Sequence, residues 1–329
     1  MLGSALRARS RTSARASACG TRTCQGRPSR GQRAVLGLAG SHAGEHSAAE
    51  TSSIAPYSDP VTTAGALLAV YDEHMRGVEP RPPAGVRYER DGPLLRVAGW
   101  HRGYISGPRD VGVTGGELDR LIARQRDYFA ARGQAVGWPV CAHDQPADLP
   151  ARLRAAGFVP GQTNQVLVGL AAELATDPAL PHGVALRWVS ADADMRRIAA
   201  LQSAVWGQDF SWLGELLIGQ IAAAGDDIAV VAAEAGGEVV SAAWALFFEP
   251  GAGGFARLLG GSTLPQWRGR GIYRALVAAR AQRAAARGAA YLQAVASADS
   301  APILRRLGLV AVTTTTTHAW TPPQPASPG

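Results

Sequence analysis

The sequence predicts an α/β chain in which one fold occurs twice. Three observations carry that reading. Short apolar runs of strand period alternate with stretches of helical period from about residue 61 to residue 320. Gly, Pro and Asp-Gly signals punctuate them at the lengths strands and helices take. Two blocks of the first half also return in the second. Ala131-Arg-Gly133 recurs as Ala286-Arg-Gly288, 155 positions on, and the stretch 149–160 has the form of 301–310, its Gly157 standing 151 positions before Gly308. Chance matching in a chain rich in Ala and Arg is the alternative account of the repeat.

The 329 residues suffice for two ordinary domains, and an apolar share of 47% supplies their cores. No window approaches the length of a membrane span, so no membrane partner is expected. The net charge of +7 belongs to one end. Residues 1–33 hold eight Arg and no acid, while the rest balances 25 Arg against 26 acids. The folded part is therefore close to neutral, and its charge gives no reason to expect a nucleic-acid partner. Cys19, Cys24 and Cys141 form neither a disulfide framework nor a metal-ligand spacing, which makes a reducing cytoplasm the expected setting and leaves no metal site predicted.

Residues 1–60 read as a disordered Arg/Ser-rich tail, either dispensable or the product of a misplaced start, although their composition imitates a transit peptide. A first domain is expected over 61–175. It holds a helix at 63–75, one or two strands within 86–104, a helix at 118–132 stopped by Gly133, and a strand at 135–140. A short helix at 149–156 and a strand at 165–170 complete it. After a linker at 175–181, the second domain spans 182–321. It begins with a strand at 184–189, helices at 192–206 and 213–223, and a hairpin of 228–234 with 238–248 across Ala235-Gly-Gly237. A strand at 254–264, a helix at 272–287, a strand at 290–295, a short helix at 301–307 and a last strand at 309–320 follow. A Pro-rich tail, 322–329, ends the chain.

The most informative stretch is Gly260-Gly-Ser-Thr-Leu-Pro-Gln-Trp-Arg-Gly-Arg-Gly-Ile-Tyr273. Gly260-Gly261 suits a bulge or the close approach of a ligand to the strand. Pro265 ends the pairing, and Gly269 and Gly271 permit a tight bend into the helix. A Gly-rich turn at a helix start offers free N–H groups and a positive dipole end to an anion, and Arg268 and Arg270 add charge.

In this context Gln266-Trp-Arg-Gly269-Arg-Gly271 resembles the acyl-CoA signature Gln/Arg-x-x-Gly-x-Gly/Ala of the GCN5-related N-acetyltransferase (GNAT) superfamily, which lies between that family's fourth strand and third helix. The resemblance covers about 184–320 and, more weakly, 61–172, as in a tandem arrangement with a degenerate first copy. It implies two α+β domains, each a mixed, mostly antiparallel sheet flanked by helices. It implies acetyl-CoA as the acyl donor and a small-molecule or peptide amine as the acceptor, attacking the thioester directly. Ser262, Thr263 and Leu264 are then expected to bind the pantetheine arm through their backbones, with the Leu264 N–H on the thioester oxygen. The N–H groups across Arg268, Gly269, Arg270, Gly271, Ile272 and Tyr273 are expected to hold the pyrophosphate, and the Ser297 hydroxyl to touch the donor.

The catalytic acid and base are less well marked. The strand 254–264 has no acid, so Glu249 and Asp209 stand as candidate bases, each equally readable as a solvated loop acid. Leu304 takes the place of the family's usual Tyr acid, and Tyr273, His318 or solvent remain to protonate the leaving thiolate. Trp206, Phe210 and Trp212 are readable as an acceptor pocket or as plain core. In the first copy the matching turn, Val113-Thr-Gly-Gly-Glu-Leu-Asp119, carries two acids that would repel a pyrophosphate, so that half is expected to bind no CoA. The competing function is a non-catalytic acyl-CoA sensor. A dinucleotide site fits worse, because the third Gly and the upstream βαβ order are missing.

Overall fold

The computed structural model describes residues 63–248 and 254–323. The expected 1–60 tail, Glu249 and all but the first two residues of the Pro-rich end lie outside them. The first half runs α1 (Ala64–Met75), β1 (Arg87–Asp91), β2 (Leu94–Ala98), β3 (Gly103–Ser106), α2 (Gly115–Ala130), β4 (Val136–Cys141), α3 (Leu149–Ala155), β5 (Val159–Leu170) and the single turn α4 (Ala171–Leu174). The second runs β6 (Val184–Val189), α5 (Asp192–Trp206), α6 (Ser211–Ala224), β7 (Ile228–Ala235), β8 (Glu238–Phe247), β9 (Phe255–Thr263), α7 (Ile272–Ala286), β10 (Tyr291–Ala296), α8 (Ala301–Arg306) and β11 (Val310–Trp320). Three strands, rather than one or two, occupy the region of 86–106, and β5 starts six residues before its apolar run.

The sheet is mixed and mostly antiparallel with helices on its faces, as expected. The alternation of the central strands explains the layering. On β7 and β8, Val230, Ala232, Val240, Ala242, Trp244 and Leu246 face α5 and α6, where they pack with Met195, Ile198, Leu213 and Leu217. Their neighbours Ala229, Ala245 and Phe247 face the opposite layer, meeting Val277, Ala281 and Ala284 of α7 and Leu304 of α8. In the first half Leu118, Leu121, Ile122 and Phe129 of α2 and Leu149 and Leu153 of α3 cover Leu94, Ile105, Val136 and Trp138. Helix α1 covers the centre of the sheet, with Leu67 and Met75 on Val168, Leu170, Phe255 and Tyr291.

The expected division at 175–181 does not separate two independent sheets. All eleven strands form one sheet in the order β1-β2-β3-β4-β11-β5-β10-β9-β8-β7-β6. The last strand of each half has crossed into the other. β11 lies between β4 and β5, antiparallel to both, and β5 lies between β11 and β10. The β-branched run Thr313–Thr317 therefore sits in the middle of the sheet, with Thr315 opposite Cys141 on one side and Asn164 on the other.

This exchange has an energetic consequence. Val166, Leu167 and Val168 of β5 are fully buried, and each side chain contributes roughly 1.5–3 kcal/mol by leaving water. That burial and both rows of β5 hydrogen bonds depend on strands of the second half. Residues 63–175 produced alone are expected to show no cooperative unfolding transition in urea, whereas 63–323 shows a single one by circular dichroism. Two separate transitions would show that the halves fold independently.

Candidate functional site

The site begins where two parallel strands part. β9 and β10 pair from Phe255 with Tyr291 to Leu258 with Ala294 and no further. Beyond that point β9 stays with β8 as far as Thr263, while β10 stays with β5 as far as Ala296 opposite Gln165. A wedge opens between them. At its apex the β8–β9 register slips between Ala242 and Trp244, so Gly260 and Gly261 share the space opposite Ala243. Gly260 has φ +62°, and a Cβ there would overlap the indole of Trp244. Only glycine meets both conditions.

The slip decides which backbone groups line the wedge. The Leu264 N–H donates to the Val240 carbonyl at 3.0 Å. Bonding in an antiparallel ladder alternates, so Ser262, opposite Ala242, also directs its N–H and C=O toward β8. Gly261 and Thr263 then turn theirs the other way, into the wedge. The Thr263 carbonyl confirms this side, since it accepts from Arg268 Nε at 3.1 Å. The Leu264 amide, expected to meet a thioester oxygen, is thus already paired, and its side chain is buried in the α5/α6 core.

From the wedge a groove of about 960 Å³ runs to the start of α7. Pro265–Trp267 form a 3₁₀ turn, Gly269 and Gly271 take φ of +72° and +84°, and Ile272 begins the helix. Gly271 at the N-cap has no side chain to offer, and the first turn of α7 holds no acid. Its N–H groups and the positive end of the dipole therefore face the groove. Arg268, Arg274 and Arg306 line the same groove, while the Arg270 guanidinium lies over the Trp267 ring at 4.8 Å.

The family model of the acetyltransferase (GNAT) family matches residues 193–308. This segment is a GNAT domain. The fold of the wider chain is similar to three solved structures. A GCN5-related N-acetyltransferase from Kribbella flavida is 20% identical, with TM-score 0.57, over 78% of this chain and 95% of that one. A conserved protein of Staphylococcus epidermidis of unknown function is 13% identical, with TM-score 0.54, over 74% and 95%. A tandem GNAT protein from the clavulanic acid biosynthesis pathway is 13% identical, with TM-score 0.52, over 80% and 96%. No curated protein matches the chain.

Within the GNAT domain, Ser262, Thr263, Arg268, Gly269, Gly271, Ile272, Tyr273 and Ser297 all lie on the groove wall, and so does Leu304. Asp209 does not. Its Oδ1 accepts the Ser211 N–H at 2.8 Å at the entry to α6, and that bond holds its carboxyl below the usual range, which makes it a poor base. Trp206 is on the wall, whereas Trp212 stacks on His101 at 4.7 Å and Phe210 packs beside it, so those two are packing residues. His318 is buried on β11 beside β4, away from the groove. Burial raises the Tyr273 hydroxyl, which keeps it protonated at neutral pH.

Among the groove residues absent from the sequence expectation, three tie the site together. Gln202 of α5 donates to the Gly260 carbonyl at 2.7 Å and accepts from Ser262 Oγ at 2.8 Å and Trp206 Nε1 at 2.9 Å, tying α5 to the bulge. Asn164 comes from β5 of the first half and reaches the wall through the strand exchange. Arg280 lies on the buried side of α7. The four-residue spacing of Leu276, Arg280 and Ala284 placed it on an apolar face and was the one sequence signal available.

The first half has a matching wedge, and it is filled. β3 and β4 pair only at Gly103–Val136 and Tyr104–Gly137. Arg76 enters the gap, donating to the Gly107 carbonyl at 3.3 Å, the Pro108 carbonyl at 3.2 Å and Asp144 Oδ2 at 2.9 Å. Cys141, His143 and Asp144 bring candidate ligand atoms within 4.8 Å of one another there, with the Arg76 guanidinium already on Asp144. Helix α2 has Glu117 in its first turn, and Arg152 bonds the Gly115 carbonyl.

The two key glycines of the GNAT domain should respond differently to a methyl group. Gly260→Ala combines backbone strain with overlap against Trp244 and is expected to cost about 4 kcal/mol. Gly271→Ala meets nothing nearer than 3.6 Å, so strain alone, about 1 kcal/mol, is expected. Urea unfolding of both variants measures the difference, and equal costs would mean that Trp244 can move aside.

Proposed function

We propose that the chain is an acyl-CoA-dependent N-acyltransferase whose single donor site is the wedge and groove of the second half. The observation that carries this reading is the pair of Gly261 and Thr263 amide groups turned into a strand gap that leads to an uncapped, Arg-flanked helix start. The pantetheine arm lies along β9 as an added strand, and the pyrophosphate rests on the α7 N-terminus with Arg268 and Arg270 beside it. The thioester oxygen takes the wedge-facing amides, which stabilise the negative charge that grows on it during attack. Gln202 supports the reaction indirectly, because its bonds to Gly260 and Ser262 fix the bulge that aims those amides.

The acceptor is an amine, with a reference pKa of about 10.4 if it is Lys-like, and it must lose a proton before or during attack. Asp299 is the one carboxylate on the wall among the described residues, so solvent carries this proton away from the wedge. The thiolate leaves with the electron pair of the C–S bond, and Tyr273, protonated and packed against Gly261, is placed to return a proton to it. A leaving thiolate with a reference pKa of about 8.5 needs only modest help of this kind.

One observation favours a second reading, that of an acyl-CoA sensor: Leu304 puts an apolar side chain where an acid would serve, on a wall with a single carboxylate. Calorimetry with acetyl-CoA, run beside a CoA-release assay over a panel of amines, separates the two. Binding with turnover supports the transferase, binding without turnover on any amine supports the sensor, and absence of binding overturns both. Arg270→Glu places a carboxylate at the exposed turn and is expected to weaken acetyl-CoA binding about tenfold, or 1.4 kcal/mol, with an effect that shrinks as salt is added. Tyr273→Phe is expected to lower turnover several-fold at an unchanged dissociation constant.

A further inference from the structure

Arg280 is 2% exposed, and it is the largest of the fully buried side chains. Its Nε donates to the Leu276 carbonyl at 2.9 Å, and its Nη1 to the carbonyls of Trp244 at 3.2 Å and Leu259 at 3.3 Å. These bonds fasten α7 to the two strands on either side of the bulge, and they account for one end of the guanidinium. They do not account for Nη2, which meets no acceptor among the described residues although Arg280 lines the groove. Nor does any carboxylate among the described residues balance the charge, since the one titratable group acting on it is Tyr273, which is neutral at neutral pH. Burial lowers Arg280 to about 10, which still leaves it a cation at neutral pH. A buried cation without an anion is costly, and the cost falls when an anion reaches it.

The groove wall carries Arg268, Arg274, Arg280 and Arg306 against the single acid Asp299. Three of these cations stand at the α7 start and on α8, where the phosphates of a CoA donor would be held. Arg280 is eight residues farther along α7, about 12 Å by helix rise, at the wedge apex. With the pyrophosphate on the α7 start, the phosphates would stop short of Arg280 and the acyl end would be the part of the donor nearest to it.

We propose that Arg280 selects an acyl donor whose acyl group ends in a carboxylate, of the malonyl or succinyl class. The inference rests on the acyl-CoA reading of the groove. In the reaction the acceptor nitrogen bonds the thioester carbon, the C–S bond breaks with its electrons going to sulfur, and the ammonium proton passes to solvent. The distal carboxylate is unchanged throughout and pairs with Nη2.

The test uses the full chain and measures calorimetric affinity and CoA release for acetyl-CoA, malonyl-CoA and succinyl-CoA. One of the two dicarboxylic donors is expected to bind at least tenfold more tightly than acetyl-CoA. In Arg280→Gln the preference should fall to about one, with any loss from the loosened bulge shared alike by the three donors, and in Arg280→Lys part of it should survive. Equal affinities for all three donors in the wild type, or a preference that persists in Arg280→Gln, would overturn the proposal and leave the acyl-CoA reading standing. Failure of all three donors to bind would overturn both. If Arg280→Gln does not fold, the wild-type ratio and the Lys variant decide. A second arm offers acetyl-CoA with amino acids and with their amides as acceptors. An Arg280-dependent preference for the free acids, without a donor preference, would assign the carboxylate to the acceptor and overturn the donor assignment.

Discussion

The bulge at Gly260 fixes everything around it. Placing two residues opposite one turns the following amides over, so that Gly261 and Thr263 face the wedge instead of β8. Trp244 fills the space that a side chain at 260 would need, Gln202 takes the Gly260 carbonyl, and Arg280 takes those of Leu259 and Trp244. The bulge is therefore held from both faces of the sheet, by α5 on one side and α7 on the other. Loss of any one contact would loosen the wedge.

The strand exchange gives the first half a part in the same site. β10 would be an edge beside the wedge if β5 did not pair with it from Gln165 to Leu170. An unpaired edge there would frustrate a row of buried backbone groups and let the gap close or slip. Pairing with β5 stiffens that side of the wedge and brings Asn164 to the wall. The first half thus supports the open groove of its partner half while its own wedge is closed.

The sequence disclosed what is local. The turn at Gly269–Gly271, the helix after it and the glycine bulge each depend on neighbouring residues, and they stand where the pattern placed them. What it hid depends on counting across distant strands. One inserted residue reverses the parity of a strand, so the bulge moved the wedge-facing amides off Leu264, which could not be read from composition or period. The exchange of β5 and β11 was hidden for a related reason. Alternation in 159–170 and in 310–320 shows that both are strands but not which neighbours they take, and the partners lie more than a hundred residues away. Asp209 was misleading because an acid preceding a helix serves its backbone as readily as a reaction.

The two wedges treat their arginines differently. Each half places one arginine beside the point where its parallel strands part, Arg76 on the carbonyls of Gly107 and Pro108 and Arg280 on those of Trp244 and Leu259 next to the bulge. In the first half Asp144 pairs with the guanidinium at 2.9 Å, so the charge is balanced within the chain. In the second half no acid among the described residues bonds Arg280, the helix start is uncapped, and the groove is open. If the arginine served the bulge alone, the internal carboxylate found in the first half would serve it equally well. Its absence from the open wedge makes sense where the balancing anion arrives with the substrate.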